Sequence, residues 1–550
     1  MAEWKTVSHY LYDCLREEGI EEIFGVPGDY NFALLDELET YDSIQFIDNR
    51  NELNAGYAAD GYAQVKGISA LITTFGVGDL SAANAVAGAF SEQVPLIEIV
   101  GSPASSMQKN GVKAHHTLMN GDYDVFLRMH REITAYTVKI TAENAIREIP
   151  SAISAALKEK RPVYIDIPQD IAAVKIDTES AAFSFNETEN KTNLADKSAE
   201  AVAEMLQQAE SAVLLVDIYA IRYGLKDKVL QLAEHLHIPT AQMMQGKSGF
   251  NEQHPQYIGM YGGAFGNQDV REYVEKADVI ITAGFLESDF NMAKFTADLP
   301  SKKRIDLQPS ELFIKGESAG KVKMKEVIDA LLLKERPTFE KSSYFPSFYD
   351  ELPEKDAPLQ AETYYPVIQS ALRPKDILVV ETGTLSYGLA HVRLAEDTVY
   401  ISQGSWQSIG YALPAAFGAQ VAAPDRRVLL FIGDGSFQLT AQGLSSMAEQ
   451  NVKPIVFFLN NSGYTVERYL NTDNPQAAYN DIPSWDYIKL VRSFYAEART
   501  TRVTTTEELR QAVSQLDETD SLHFIEIVVD DHMDAPLHLK RLREESLKKE

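Results

Sequence analysis

A chain of 550 residues, 45% hydrophobic and 24% charged, has the make-up of an ordinary globular protein, with apolar material for several cores at about 150 residues per domain. The formal net charge of -29 excludes a nucleic-acid partner, whose phosphates would be repelled. The single cysteine, Cys14, excludes an internal disulfide and fits a reducing compartment.

The first stretch, "MAEWKTVSHY", has no apolar core followed by a small-residue cleavage site. No uninterrupted apolar run reaches the length of a membrane span. A cytoplasmic protein without a membrane partner is expected. Cys14 falls in "YLYDCLREEGI", where a helix with a small packed residue is the simplest reading.

Further along, apolar runs alternate with helical patterns, the mark of α/β units and mostly parallel sheets. Strand candidates in chain order are "ALITTF", "PLIEIVG", "AVLLVD", "DVIITAG", "DILVVETG", "RVLLFIG" and "PIVFFLNN". Polar or proline-bearing stretches near 178–200 and 335–358 read as linkers. They predict three doubly wound domains, at 1–180, 195–340 and 358–550. The outer two echo each other: "LITTFGVGDLSAANAVAGAFSEQVPLIEIVGS" and "LLFIGDGSFQLTAQGLSSMAEQNVKPIVFFLNNS" share strand, glycine turn with an acid, helix, proline and strand. A duplicated unit and two generic βαβ units both fit that echo.

The stretch "LLFIGDGSFQLTA" ends a greasy strand with Asp434 between two glycines. After Gly435, 24 residues lead to Asn460-Asn461 in "FFLNNSGYTVE". Phe437, Ala441, Leu444 and Ala448 predict one helix between, packed by one face on a sheet. The next strand would then return parallel and bring Asn461 beside Asp434. Open α/β sheets bind ligands at that edge, and a helix opening at Gly435-Ser436 offers N–H donors to a phosphate. A carboxylate and an amide oxygen are hard ligands of the kind magnesium takes alongside substrate phosphates and water. Each half alone reads as a plain turn. Together they predict a magnesium-diphosphate site.

GDG, some two dozen residues and then NN resembles the signature of the thiamine diphosphate enzymes. The resemblance extends through "EEIFGVPGDYN", "NRNELNAGYAADGYA", "HHTLMNGDYDVF", "ETGTLSYG", "SIGYALPAA" and "YNDIPSWDY". These look like the pyruvate, indolepyruvate and branched-chain 2-oxo acid decarboxylases. The resemblance implies thiamine diphosphate and Mg2+ as cofactors and a thiamine diphosphate-binding fold with related outer domains. It implies non-oxidative release of CO2 and an aldehyde from a small 2-oxo acid. It also implies a homodimer as the minimum unit, with a homotetramer expected.

The same resemblance assigns roles. Glu52 would hydrogen-bond a pyrimidine nitrogen of the cofactor, as a carboxyl in a dry pocket is suited to do. Asp29, His115, His116 and Glu467 match the proton-transfer group, expected to titrate as a coupled set. Asp434, Asn461 and Gly463 would hold the metal, with Ser462 replacing the usual aspartate. Thr382, Thr384, Gly435 and Ser436 would meet the diphosphate. Ile409 matches a wedge against the cofactor. Gln407 stands where glycine is usual and would offer a backbone carbonyl. Val466, Ser386 and Tyr387 would face the substrate side chain under a closing helix near Leu542. Valine and serine leave room, so branched-chain or aromatic acids such as 3-methyl-2-oxobutanoate, phenylpyruvate or indolepyruvate are expected over pyruvate. A pyruvate decarboxylase, a carboligase or flavin-dependent oxidase, and a non-catalytic phosphate-binding regulator stand as alternatives. "ESDFNMAKF" departs from the family pattern.

Overall fold

A computed structural model describes residues 4–178, 194–335, 339, 344–516 and 521–548. Most of the first expected linker and part of the second lie outside the described residues. All seven strand candidates are strands, from Ser69–Thr74 through Ile455–Asn460. Cys14 sits half-buried in the helix Val7–Glu17, and burial pushes its thiol up to about 12.

The first sheet is six-stranded and parallel. Its order is Gln45–Asp48, Glu22–Gly25, Ser69–Thr74, Leu96–Ser102, Val163–Pro168, Tyr136–Lys139. The third sheet is also six-stranded and parallel, running Val399–Ile401, Ile377–Val380, Val428–Gly433, Ile455–Asn460, His523–Val528, Arg499–Val503. Counted within each six-stranded sheet, both orders are second, first, third, fourth, sixth, fifth. The echo read in the sequence is thus an identity of strand order. The central sheet differs: third, second, first, fourth and fifth strands run parallel, and an antiparallel pair, Leu312–Ile314 and Glu317–Gly320, closes its edge. Among the described residues no helix is long and apolar enough to cross a membrane.

The outer units share one core, in which Phe24, Tyr57, Ala58 and Tyr62 pack with Tyr411, Ala415, Phe417, Phe437 and Phe458. Its seam is the helix Glu52–Lys66 against the helix Ala412–Ala422. Glycines make that approach possible. A Cβ on Gly418 would stand 1.8 Å from the carbonyl oxygen of Ala58, and one on Gly61 would stand 2.1 Å from that of Ala415. Neither backbone could yield without parting the helices.

One expectation needs correction. The stretch after Asp434 is two helices, Asp434–Thr440 and Gly443–Glu449. Ala441 and Gln442 keep near-helical angles, but Leu444 N–H donates to Ala441 O and Ser445 N–H to Gln442 O, three residues back rather than four. The ladder tightens for one turn. The apolar face survives the break, because Phe437, Ala441 and Leu444 are all in the shared core.

Candidate active site

In the third unit the strand order reverses between Ile377–Val380 and Val428–Gly433, a switch point of the kind at which open sheets hold ligands. The turns leaving those strands, with Asn461–Glu467 from the next, line a cleft of about 270 Å³. Thr382, Thr384, Ile409, Asp434, Gly435, Ser436, Asn461, Gly463, Val466 and Glu467 all meet there.

Asp434 is 1% exposed. Its Oδ2 accepts from Asn461 N–H at 3.2 Å and Ser462 N–H at 2.6 Å, and its Oδ1 from Gly435 N–H at 2.8 Å. Burial outweighs these bonds and raises the carboxyl from 3.8 to about 6. A buried carboxylate held so fits a cation, which would offset the lost hydration. Asn461 completes the donor set. Its Nδ2 donates to Thr465 Oγ1 at 2.8 Å, which keeps Oδ1 as the atom for a cation. Ser462 takes φ 60 and Gly463 φ 158 to turn the chain back over the strand end. The residues present therefore fit a hard divalent ion with a diphosphate.

The loop carrying Gln407 and Ile409 is held from two sides by carboxylates that sequence reasoning missed. Glu381, buried and raised to about 8 by burial, accepts from Thr382 N–H and Ala412 N–H, both at 3.1 Å. Glu92 from the first unit is also buried. Its Oε1 accepts from Ser405 N–H at 2.7 Å and Trp406 N–H at 2.8 Å. Between these anchors Gln407 is forced to φ 54. That is the left-handed region glycine occupies freely, the reason a glycine would be natural there. Its side chain closes the turn by donating to Gly404 O at 2.9 Å.

The first unit gathers the other group at the corresponding edge of its own sheet. Asp29, His115 and His116 bring their donor atoms within 4.8 Å of one another. His115 Nε2 lies 2.6 Å from Asp29 Oδ2, and its ring stacks on Tyr30 at 4.9 Å. Gly76 has no room for a side chain, since His116 O would lie 2.0 Å from its Cβ, so the histidine loop rests on the helix Val77–Glu92. Glu52 opens the helix Glu52–Lys66 behind the cap Asn51, whose side chain accepts from Asn54 N–H. Its Oε1 is 3.4 Å from where a Cβ on Gly78 would sit.

These residues do not join the cleft. Among the described residues, none from the first unit lines it. Ser386 does not line it either; its Oγ donates to Gly383 O, and it faces a separate crevice with Phe290. Tyr387 and Val466 border a third apolar cluster with Leu539, Leu542 and Phe265. Phe290, from the divergent "ESDFNMAKF", packs on Tyr387 with ring centroids 5.6 Å apart.

Known proteins resemble this chain along most of its length. The chain matches the N-terminal TPP binding domain of thiamine pyrophosphate enzymes over residues 5–124, the central domain over 199–331 and the C-terminal TPP binding domain over 381–527. It is 40% identical to a pyruvate decarboxylase of Aspergillus fumigatus, over 89% of this chain and 87% of that one. It is 37% identical to an alpha-keto-acid decarboxylase of Mycolicibacterium paratuberculosis, over 92% and 91%. With pyruvate decarboxylase isozyme 2 of Saccharomyces cerevisiae it shares 36%, over 97% of each. A strand order repeated in both outer units, a cleft at the switch point of the third sheet and these matches along most of the chain lead to one assignment: the chain belongs to the thiamine diphosphate-dependent 2-oxo acid decarboxylase family.

Proposed function

We propose that this carboxy-lyase converts 2-oxo acids to aldehyde and CO2 with Mg2+ beside thiamine diphosphate, and favours branched-chain or aromatic acids over pyruvate. Thiamine diphosphate, when bound, supplies the electron sink that makes loss of CO2 from a 2-oxo acid feasible. The chain's residues do the rest. Asp434, Asn461 Oδ1 and the Gly463 carbonyl hold the metal, while Thr382, Thr384, Gly435 and Ser436 hold the diphosphate. Ile409 and the Gln407 carbonyl orient the pyrimidine end, and Glu52 bonds its ring nitrogen. Asp29, His115, His116 and Glu467 move protons at the reacting carbon.

Among the described residues the cleft carries Glu467 yet none from the first unit, which supports sites completed by a second copy. Val77, Leu80, Ile409 and Leu439 are between 36% and 55% exposed around the two half-sites, an apolar surface suited to burial in a homodimer. A homotetramer of such dimers in the cytoplasm, with units at 1–180, 195–340 and 358–550, is part of the proposal.

The observation that carries the substrate preference is Val466, a small side chain lining the cleft beside Glu467. One methylene there is worth about 1–3 kcal/mol of discrimination. Pyruvate is the second reading. It is favoured by Phe290 narrowing the space behind Tyr387 and by relatives named pyruvate decarboxylase. A panel of 2-oxo acids assayed for aldehyde release decides between them. Val466→Ile should shift the ratio of kcat/KM toward pyruvate. A preference of the unaltered enzyme for pyruvate by more than about tenfold, roughly 1.4 kcal/mol, overturns the pocket reading.

A further inference from the structure

Behind the substrate wall two imidazoles face each other with almost no solvent. His391 and His538 are 6% and 2% exposed, and His391 Nε2 lies 2.9 Å from His538 Nδ1. His391 follows the helix Thr384–Leu389, and His538 is in the first turn of the C-terminal helix Leu537–Leu547. Burial drives both rings toward the neutral form, His538 to about 3; Arg541 adds to the effect on both, and His538 and Lys247 to that on His391. A neutral imidazole has one N–H and one lone pair. The contact is therefore a single donor–acceptor bond that neither ring exchanges for a charge across the working pH range.

The His538 ring is also the meeting point of the surrounding walls. It lies 5.4 Å from the Tyr387 ring and 5.6 Å from Phe265, while a Cβ on Gly262 would stand 3.0 Å from its Cε1. Leu539 and Leu542 of the same helix press on Phe265, Ala293 and Tyr469. Those apolar contacts hold the helix down without fixing its rotation, because burial has no direction. A hydrogen bond does have direction; Arg541 donates to Gly266 O and Lys540 to Glu362 Oε1 from the same helix, but of the three the His391–His538 bond is the buried one and the one that touches the wall with Tyr387.

We infer that the His391–His538 bond is a latch that seats the C-terminal helix against Tyr387 and so sets the depth of the 2-oxo acid pocket. Both histidines are positioning residues: neither lines the cleft, and they act through Tyr387 and the helix. This inference rests on the reading that Tyr387 faces the substrate side chain.

Leucine and asparagine have the same branched shape, but only the asparagine amide, placed where Nδ1 stood, can pair with His391 Nε2. His538→Leu and His538→Asn therefore separate the bond from the space it fills. In the holoenzyme, amide hydrogen exchange across 537–547 should quicken by about tenfold or more in His538→Leu and stay within about threefold of normal in His538→Asn. KM for 4-methyl-2-oxopentanoate should rise about fivefold in His538→Leu, with kcat for pyruvate within about twofold, and His538→Asn should restore it. Equal exchange in the two variants overturns the latch. Exchange that separates them while KM for the larger acid stays put overturns the link to the pocket, and with it the placement of Tyr387. Loss of turnover on every 2-oxo acid by the unaltered enzyme would instead sink the proposed function, and the exchange result would still stand alone.

Discussion

Asp434→Asn should leave the cofactor-free protein at least as stable at neutral pH while removing its response to metal and cofactor. Burial raises the carboxyl from 3.8 to about 6, which sets about 3 kcal/mol against the charged form at neutral pH. The folded state thus binds more protons than the unfolded one between about pH 4 and 6. Stability from this group is greatest below that window and falls as pH rises through it. Asparagine removes the penalty but turns an N–H toward backbone donors, costing about 1–3 kcal/mol, so the net gain is about 0–2 kcal/mol. A cation reverses the balance for the natural residue by favouring its charged form. Apparent affinity for Mg2+ at saturating thiamine diphosphate should then be about tenfold weaker at pH 5 than at pH 7. Thermal unfolding with and without ligands, and Mg2+ titrations across that range, read both effects. At 100 times Kd the ligands should add about 2.7 kcal/mol to the natural protein and almost nothing to Asp434→Asn. Equal protection of the two proteins, or an affinity flat from pH 5 to 7, would refute the metal assignment.

Glu52→Gln should fold and bind the cofactor by calorimetry, yet lose nearly all turnover, because the amide cannot share a proton with a ring nitrogen; normal turnover contradicts its role. Mixed assembly of Glu52→Gln with Asp434→Ala should regain activity that neither has alone, since one site of a mixed dimer would draw both halves intact; silence in a verified mixed dimer rules out completion by a second copy. Gly418→Ala should cost about 3 kcal/mol in denaturant unfolding, as a Cβ 1.8 Å from Ala58 O forces two backbones apart; a neutral result would show that the helix seam can slide. Gln407→Gly should stay within about 1 kcal/mol of the natural protein, relief at φ 54 being offset by chain entropy and a lost turn bond. Gln407→Val should cost about 2 kcal/mol, and equal stability of the two would argue against strain there.

The strands and the cleft were legible because they are written locally. Each strand is a continuous apolar run, and Asp434 and Asn461 both follow such runs, so parallel pairing was enough to bring them together. The helix break at Ala441 was not legible, since the apolar spacing from Phe437 to Ala448 suits one straight helix or two. Glu381 and Glu92 are single acids among 80. Their importance lies in being buried against a loop, which for Glu92 is more than 300 residues away. His391 and His538 are 147 positions apart, and no spacing rule connects them. The split between the cleft and the Glu52 group was read from family resemblance. Hydrophobic pattern reports which face is buried, and says nothing of which chain buries it.

The core shared by the outer units has a consequence for how the chain is made. The helix Glu52–Lys66 is buried on all sides from Asn54 to Ala63, a stretch rich in alanine, glycine and tyrosine, and its partner helix lies roughly 360 residues later. At about 5–20 residues per second, the ribosome delivers that partner on the order of a minute after the first helix emerges. Until then the helix can pack on Glu22–Gly25 and Ser69–Thr74 of its own sheet but carries an unfinished apolar face. Contacts this distant in sequence slow folding and lengthen exposure to aggregation. A fragment ending before Ala412 should therefore expose the apolar face that the later helix covers, and aggregate more readily than the full chain.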